Sequence, residues 1–358
     1  MGEVGFSAVA GVATTVERVF ARLEELYAIG RGPGANRPHP SPEEDAAHEL
    51  AAAWLHDAGL TIEIDAHGNL LGRSGRADDV WVGSHLDTVP QGGRFDGALG
   101  VVAAIEAVER AGRGTVVAFR GEEVGCIGSR ALCTQTALPT AFLELHVEQG
   151  PSLDRAGAAL GVVTAIVGYA RGELLFEGRA GHAGTTPMRD RDDALVAAAA
   201  AILSIREAAL GVEGAVATVG ELDVEPGAGN VIPGRVRLSV DVRAPDRERL
   251  DAVVAAVGLE PGHRAEPVAM SEGCRAALRD EITARGLPVV ELASGAGHDA
   301  GILAAAGVDA GMLFVRSLNG GISHSPDELS SEEDVALAVE VLTGALRRLT
   351  GQPGSPSK

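Results

Sequence analysis

Aromatic residues are scarce in this 358-residue chain: phenylalanine, tryptophan and tyrosine together make up 3%. Its core must therefore be filled by small aliphatic side chains, and an apolar content of 46% supplies them. Cysteine is scarce as well. Cys126, Cys133 and Cys274 are odd in number and form no CxxC pair, which argues against a disulfide framework and for free thiols in a reducing cytoplasm. No run is long and apolar enough to span a bilayer. Met1–Ala13 has no basic stretch leading into an apolar one, so a secretory leader is not expected. Positive charge is in deficit. The 30 Lys and Arg against 50 Asp and Glu leave a net charge of −20, which argues against nucleic acid or an anionic membrane as partner. A small anionic substrate stays open, because a bound metal reverses the field locally.

The length suits two domains. Helical spacing runs over residues 14–29, and a second helix opens at Ser41-Pro-Glu-Glu, a capping-box pattern with proline at the first helical position. Strand-like runs follow at Thr61–Asp65, Asn69–Gly72, Val80–Ser84, Thr115–Arg120 and Ala141–Glu148, with a helix over Leu99–Ala111. From about residue 170 the order changes to strand (Arg171–Glu177), helix (Asp192–Ala209), two strands (Ala215–Glu221, Arg235–Arg243), helix (Asp246–Val257) and strand (Arg264–Met270). The chain then resumes with a helix, a strand at Pro288–Leu292, a helix, a strand and a last helix over Glu332–Leu349. The expected fold is α/β: a mixed, mostly parallel sheet built from residues 1–169 and 270–358, with a ferredoxin-like α+β domain (170–269) inserted into it. The tail from Gly351 reads as disordered.

Histidine and carboxylates gather at the ends of these strands. In Gly83-Ser-His-Leu-Asp-Thr-Val-Pro, His85 and Asp87 share a strand face, so Asp87 could orient a ligating imidazole through its second ring nitrogen. Asp96 lies in a glycine-rich turn before a helix, where a plain capping role is the simpler reading of the residue alone. Glu122 and Glu123 follow an apolar strand. Adjacent carboxylates there are costly without a cation, and with a metal one could ligate while the other acts as general base. His146 ends the run Leu143-Glu-Leu-His, and His324 sits in Gly321-Ile-Ser-His-Ser-Pro-Asp-Glu. Singly, each admits a structural role. Together they form a ligand set for a divalent pair such as Zn, Mn, Co or Ni.

These segments, with GRAGHAGTTPM, NVIPG, DVRAPD and SGAGHDA, resemble the M20 metallopeptidase clan over nearly the whole chain. Within it they are similar to the branch of N-carbamoyl-L-amino acid hydrolases, allantoate amidohydrolases and β-ureidopropionases, for which Leu-His-Val-Glu-Gln-Gly is the strongest marker. The resemblance implies a binuclear amidohydrolase. His85 and His146 would hold one metal, Glu123 and His324 the other, and Asp96 would bridge them. Glu122 would take a proton from the shared water, whose hydroxide attacks the carbamoyl carbon. His182 would stabilise the oxyanion. Gln149, Asn230, Arg243 and the Gly295 turn would touch a small carboxylate-bearing ureido substrate. The inserted domain would serve as lid and as contact of a homodimer, with residues of one protomer able to complete the partner's site. N-carbamoyl-L-amino acids lead as substrate, allantoate is second, and an aminoacylase or dipeptidase is the alternative. His146 counts against that last reading, because peptidase relatives usually place a carboxylate there. The segment after Glu123, Val-Gly-Cys-Ile-Gly, is shorter than in many branch members. It carries Cys126, which reads as a buried bystander before a metal intruder. Arg171 is a weaker candidate for a substrate carboxylate.

Overall fold

A computed structural model describes residues 10–30, 32–134 and 137–351. The start up to residue 9, where no leader was expected, and the tail beyond Gly351, expected to be disordered, lie outside the described residues. The chain runs through α1 (Ala10–Ala28), α2 (Pro42–Asp57), β1 (Thr61–Ile64), β2 (Leu70–Arg73), β3 (Val80–His85), α3 (Ala98–Ala111), β4 (Thr115–Phe119), α4 (Ile127–Leu132), β5 (Ala141–Val147), α5 (Ser152–Ala156) and β6 (Leu160–Ile166). It continues with β7 (Gly168–Glu177), β8 (Gly181–His182), α6 (Ala194–Leu210), β9 (Val216–Glu225), β10 (Val231–Ile232), β11 (Arg235–Ala244), α7 (Arg247–Val257), β12 (His263–Ala265) and β13 (Val268–Ala269). Last come α8 (Glu272–Ala284), β14 (Glu291–Ser294), α9 (Asp299–Ala305), β15 (Asp309–Val315) and α10 (Glu332–Leu349). One compact unit comprises the chain up to Thr164, Met270–Leu292 and the chain from Gly297. The other comprises Ala165–Ala269 with Ala293–Ala296.

In the first unit, four parallel strands lie side by side in the order β4-β3-β5-β15. Parallel strands covered on both faces read as unbroken apolar runs, and β3, β4 and β5 are buried along their whole length. β2 and then β1 extend the sheet antiparallel on one side, and β6 does so on the other. Aliphatic residues of α1, α3, α8 and α10 fill the core, among them Leu23, Ile105, Ile282 and Leu342. At α2 the sequence acts as its pattern dictates: the Glu44 amide donates to Ser41 Oγ at 3.1 Å, with Pro42 in the first turn.

The second unit runs β7-α6-β9-β11-α7-β12, with the short β8 and β10 paired on their own between these elements, and its antiparallel sheet is ordered β12-β7-β11-β9. Asp193 and Asp246 cap its two helices. Its core is again small, with Ala170, Ile205, Val242, Leu250 and Val253 buried together.

Several elements differ from expectation. The single strand expected over Arg264–Met270 is two short pieces, β12 on β7 and β13 on β6. They part around Pro267, which has no N–H to give a ladder. The strand expected at Pro288–Leu292 forms at Glu291–Ser294, past that proline, for the same reason. β6, α4 and α5 were not expected. β6 is a glycine-containing apolar run without alternation, and the two helices are about one turn or slightly more. No helix among the described residues is long and apolar enough to cross a membrane.

Candidate metal centre

The parallel strands deliver the site. Chain leaving the C-terminal ends of β3, β4, β5 and β15 carries His85 through Asp96, Glu122–Glu123, His146–Gln149 and His324 respectively, the rim where open α/β sheets present their ligands. His85 and His146 are buried on neighbouring strands, with ring centroids 5.7 Å apart. Asp96 stands between the groups. Its Oδ1 is 3.6 Å from His85 Nε2 and 3.1 Å from His146 Nε2, and its Oδ2 is 3.4 Å from His324 Nε2. His324 Nε2 is also 3.5 Å from Glu123 Oε2. Two ligand groups, His85–Asp96–His146 and Asp96–Glu123–His324, thus share Asp96. The Asp96 turn has room only for glycine at Gly97: its φ is +63°, and a Cβ there would lie 2.4 Å from the His85 ring.

The donors fit a metal. His85 Nδ1 faces the Asp87 carbonyl at 3.1 Å, and His146 Nδ1 the Val147 carbonyl at 3.0 Å. A carbonyl only accepts, so both Nδ1 atoms carry hydrogen and a neutral ring turns its Nε2 lone pair to the site. Those Nε2 atoms are buried without a hydrogen-bond partner. Lone pairs facing a carboxylate repel unless a cation lies between them. The electrostatics demand the same positive charge. Burial opposes a charged His146, yet Asp96 and Glu144 raise its pKa to about 9. Burial likewise opposes a charged His85, which Glu122, Asp87 and Asp96 hold well above the ordinary value. Asp96 is held well below the carboxylate range by His146 and His85, against its own burial.

Glu122 Oε2 lies 3.7 Å from His85 Nε2. Burial, then the Asp299 and Glu123 charges, push its carboxyl well above the usual range although His85 opposes this. That environment suits a group that must accept a proton and return it. The turn carrying it is clamped at four successive amides. Arg120 N donates to Asn69 Oδ1 (3.1 Å), Gly121 N to Glu44 Oε1 (3.2 Å), and Glu122 N and Glu123 N to the two oxygens of Asp87 (3.1 Å each). The Asp87 carboxylate therefore orients the glutamate pair, while the hydrogen bond on His85 Nδ1 is to the Asp87 main-chain carbonyl, with the carboxylate 3.3 Å from that nitrogen. Glu44 is itself held by His39 Nδ1 at 2.7 Å.

Residues without an expected role complete the support. Glu144 is fully buried, accepting from Ser84 Oγ at 2.8 Å and Ala300 N at 2.9 Å. It lies near His146 and His298 in a further possible ligand group, and its two bonds brace the Ser84 strand end and the Ala300 amide. Asp299 accepts from Ser129 Oγ at 2.6 Å, and burial with the Glu144 charge raises its carboxyl to about 8. The His298 ring meets His146 edge-on at 4.5 Å. A charged residue inside an otherwise apolar strand, as at Glu144, was a signal available in the sequence. Glu44 was hidden by its ordinary place in a helix cap. Cys126 is buried, with its Sγ 3.8 Å from Glu122 Oε1, and burial raises its thiol far above the usual range. It stays an S–H beside the glutamate rather than a thiolate ligand. Gln149 donates to Asp96 Oδ2 at 2.8 Å.

In the second unit, His182 pairs with Val231 across β8 and β10, and Ala183 N donates to the Asn230 carbonyl at 3.0 Å. His182 Nδ1 accepts from Gly184 N at 3.0 Å, which leaves the proton of the neutral, exposed ring on Nε2. Arg243 donates from Nη1 to the Gly295 carbonyl at 2.9 Å, and from Nε and Nη2 to Asp241 at 3.0 and 3.3 Å. Arg171 is committed to Asp241 at 2.6 Å and lies over Tyr169.

Comparison with known proteins agrees with this architecture. The chain belongs to peptidase family M20/M25/M40, whose profile matches residues 81–348. It is 37% identical to the N-carbamoyl-L-amino acid amidohydrolase of Geobacillus stearothermophilus, covering 91% of this chain and 96% of that one. It is 35% identical to the allantoate amidohydrolase of Bacillus subtilis (strain 168), covering 81% and 87%. Among solved structures, a hydantoinase/carbamoylase-family amidase from Burkholderia multivorans superposes with a TM-score of 0.83 at 30% identity, covering 94% and 98%.

Proposed function

We propose that the protein hydrolyses the ureido group of N-carbamoyl-L-amino acids in a reaction that depends on two divalent ions. The observation that carries this reading is the pair of buried, unpartnered His85 and His146 Nε2 atoms facing Asp96, with Glu122 beside them. His85, His146 and Asp96 would hold one ion, and Asp96, Glu123 and His324 the other. Zn, Mn, Co and Ni all suit such histidine and carboxylate donors. Ions held there would supply Lewis acidity, making a water easier to deprotonate and a carbonyl easier to attack. Glu122 takes the proton as water attacks the carbamoyl carbon, and returns it to the nitrogen as the C–N bond breaks. Ammonia leaves, and the carbamate left behind loses CO2 to give the free amino acid. His182, with its proton on Nε2, is the donor assigned to the oxyanion. Arg243 is assigned to the substrate carboxylate, because a guanidinium has donors beyond its bonds to Asp241 and Gly295. Asn230, Gln149 and Gly295 are assigned to the remaining polar contacts of the substrate.

A homodimer through the second unit belongs to the same reading. β9 is an edge strand, and α6 exposes Val196, Leu203 and Leu210 at seven-residue spacing on one stripe. The second copy, with the second unit acting as a lid, follows the family resemblance. The free Cys126, Cys133 and Cys274 suit a cytoplasmic setting. Allantoate is the second reading, favoured by the Bacillus subtilis relative. The test is ammonia release from a panel of N-carbamoyl-L-amino acids and allantoate, beside amine release from N-acetyl amino acids and dipeptides. Turnover of a carbamoyl substrate supports the proposal, turnover of allantoate alone selects the second reading, and cleavage of acetyl or peptide substrates alone overturns both.

A further inference from the structure

The two ligand groups are built differently. His85 and His146 end buried strands, so the sheet fixes them. His324 lies on the 316–331 loop after β15, its side chain is 50% exposed, and its φ is +53°. A half-exposed ligand in a left-handed backbone conformation stays in place only if its surroundings hold it. The loop is closed at its base by Leu318 N to the Leu329 carbonyl at 2.7 Å and by Asn319 Nδ2 to the Asp327 carbonyl at 2.8 Å. Gly321 presses on Gly150, where a Cβ would come within 2.1 Å of the backbone carbon. These contacts place the loop. Gln149 Nε2 reaches from Asp96 Oδ2 (2.8 Å) toward Ser323 Oγ (3.3 Å), and a buried carboxylate on the loop itself ties it to the Asp96 turn through the backbone. Glu328 is buried, and its Oε1 accepts from Phe95 N at 2.7 Å and from Asp96 N at 3.0 Å. Its Oε2 accepts from Ser323 Oγ at 2.7 Å, next to His324. Ser323 Oγ is also 3.2 Å from Asp96 Oδ2. The hydroxyl has one proton, and the shorter contact to Glu328 takes it, so Asp96 Oδ2 accepts from Gln149 Nε2 at 2.8 Å and keeps its other lone pair for the His324 side. Burying another carboxylate beside Asp96 is electrostatically costly. Its position therefore points to a task other than stability.

We infer that Glu328 is the positioning residue that joins the His324 loop to the Asp96 turn, so that the sheet assembles the first ligand group and a Glu328–Ser323 latch assembles the second. The inference rests on the two-ion reading proposed above. It makes the ions inequivalent: the Asp96–Glu123–His324 group binds more weakly, and Glu328 governs its affinity.

The test is calorimetric titration of Zn²⁺ into the chelator-stripped, full-length protein. The wild type should take up two ions in two steps. Glu328→Ala should weaken the second step by about tenfold or more, the range seen when a ligand's outer partner is removed, and the first step distinctly less, with some loss of Tm in the stripped protein from the two orphaned amides. Glu328→Gln keeps an oxygen for the two amides and should recover most of the second step. Should Glu328→Ala fail to fold, Ser323→Ala probes the same bridge with a smaller change and should also weaken the second step alone. Unchanged steps, equal weakening of both, or a glutamine variant no better than alanine would each overturn the inference while leaving the two-ion reading standing. A wild type that takes up one ion would remove that reading and the latch together.

Discussion

Glu122 and Asp87 carry different burdens in one cluster, and substitution separates them. Glu122→Gln preserves shape and removes the proposed proton acceptor. It should retain metal and lose about 10²–10⁴-fold in kcat, the usual contribution of a general base, as read by steady-state kinetics beside metal analysis. Activity near the wild-type level would remove Glu122 from that role. Asp87 touches no substrate in this account, yet it receives two amides and faces His85. Asp87→Ala should lower metal affinity by about 10–100-fold, and a competition titration with a chelator measures this. At this scale much was legible in the sequence. His85, Asp96, Glu122, Glu123, His146 and His324 all stand out as histidines and carboxylates at strand ends, and the structure brings them together. Glu144 was marked only by its charge inside an apolar strand, while Glu44 and Glu328 were not legible, because a buried carboxylate that braces a backbone looks the same in sequence as one on a solvated surface.

Among the elements, α2 stands behind the glutamate turn and supplies both Glu44 and His48. His48 is buried, and desolvation, followed by the Arg120 charge, lowers its pKa to about 3 from 6.5. The unfolded chain binds this proton below pH 6.5 while the folded chain does not until about pH 3. Stability from His48 is therefore complete above pH 6.5 and is lost as pH falls through that window, by up to about 1.4 kcal/mol per pH unit. Denaturant unfolding of wild type and His48→Gln at pH 7 and pH 5 should show a smaller loss in the variant, and equal losses would refute the assignment. Element order was legible where periodicity was long, as in α3, α6 and α10, and where apolar runs ended at turn residues, as in β3 and β5. It was not legible at β6, whose run LGVVTAI fits strand or helix alike, nor across Arg264–Met270, where one proline divides what reads as a single strand.

The whole molecule is a family M20 protein with a sheet unit that carries the candidate metal centre and a smaller antiparallel unit. In the proposed homodimer, the stripe of Val196, Leu203 and Leu210 on α6 is the surface assigned to the second copy. Leu203→Glu places a charge in that stripe, and should yield monomers by light scattering with little change in Tm. Dimers that persist would locate the interface elsewhere or exclude it. The family was legible from the sequence because its motifs run in order along nearly the whole chain. Substrate choice was not, since it depends on loops whose side chains follow no period.

The most direct test of the central claim is to titrate Mn²⁺ into the chelator-stripped protein while following ammonia release from an N-carbamoyl-L-amino acid. Ammonia release that is absent without metal and reaches its plateau at two ions per chain is the predicted result. Turnover that is independent of added metal, or no turnover at any metal content, would contradict it.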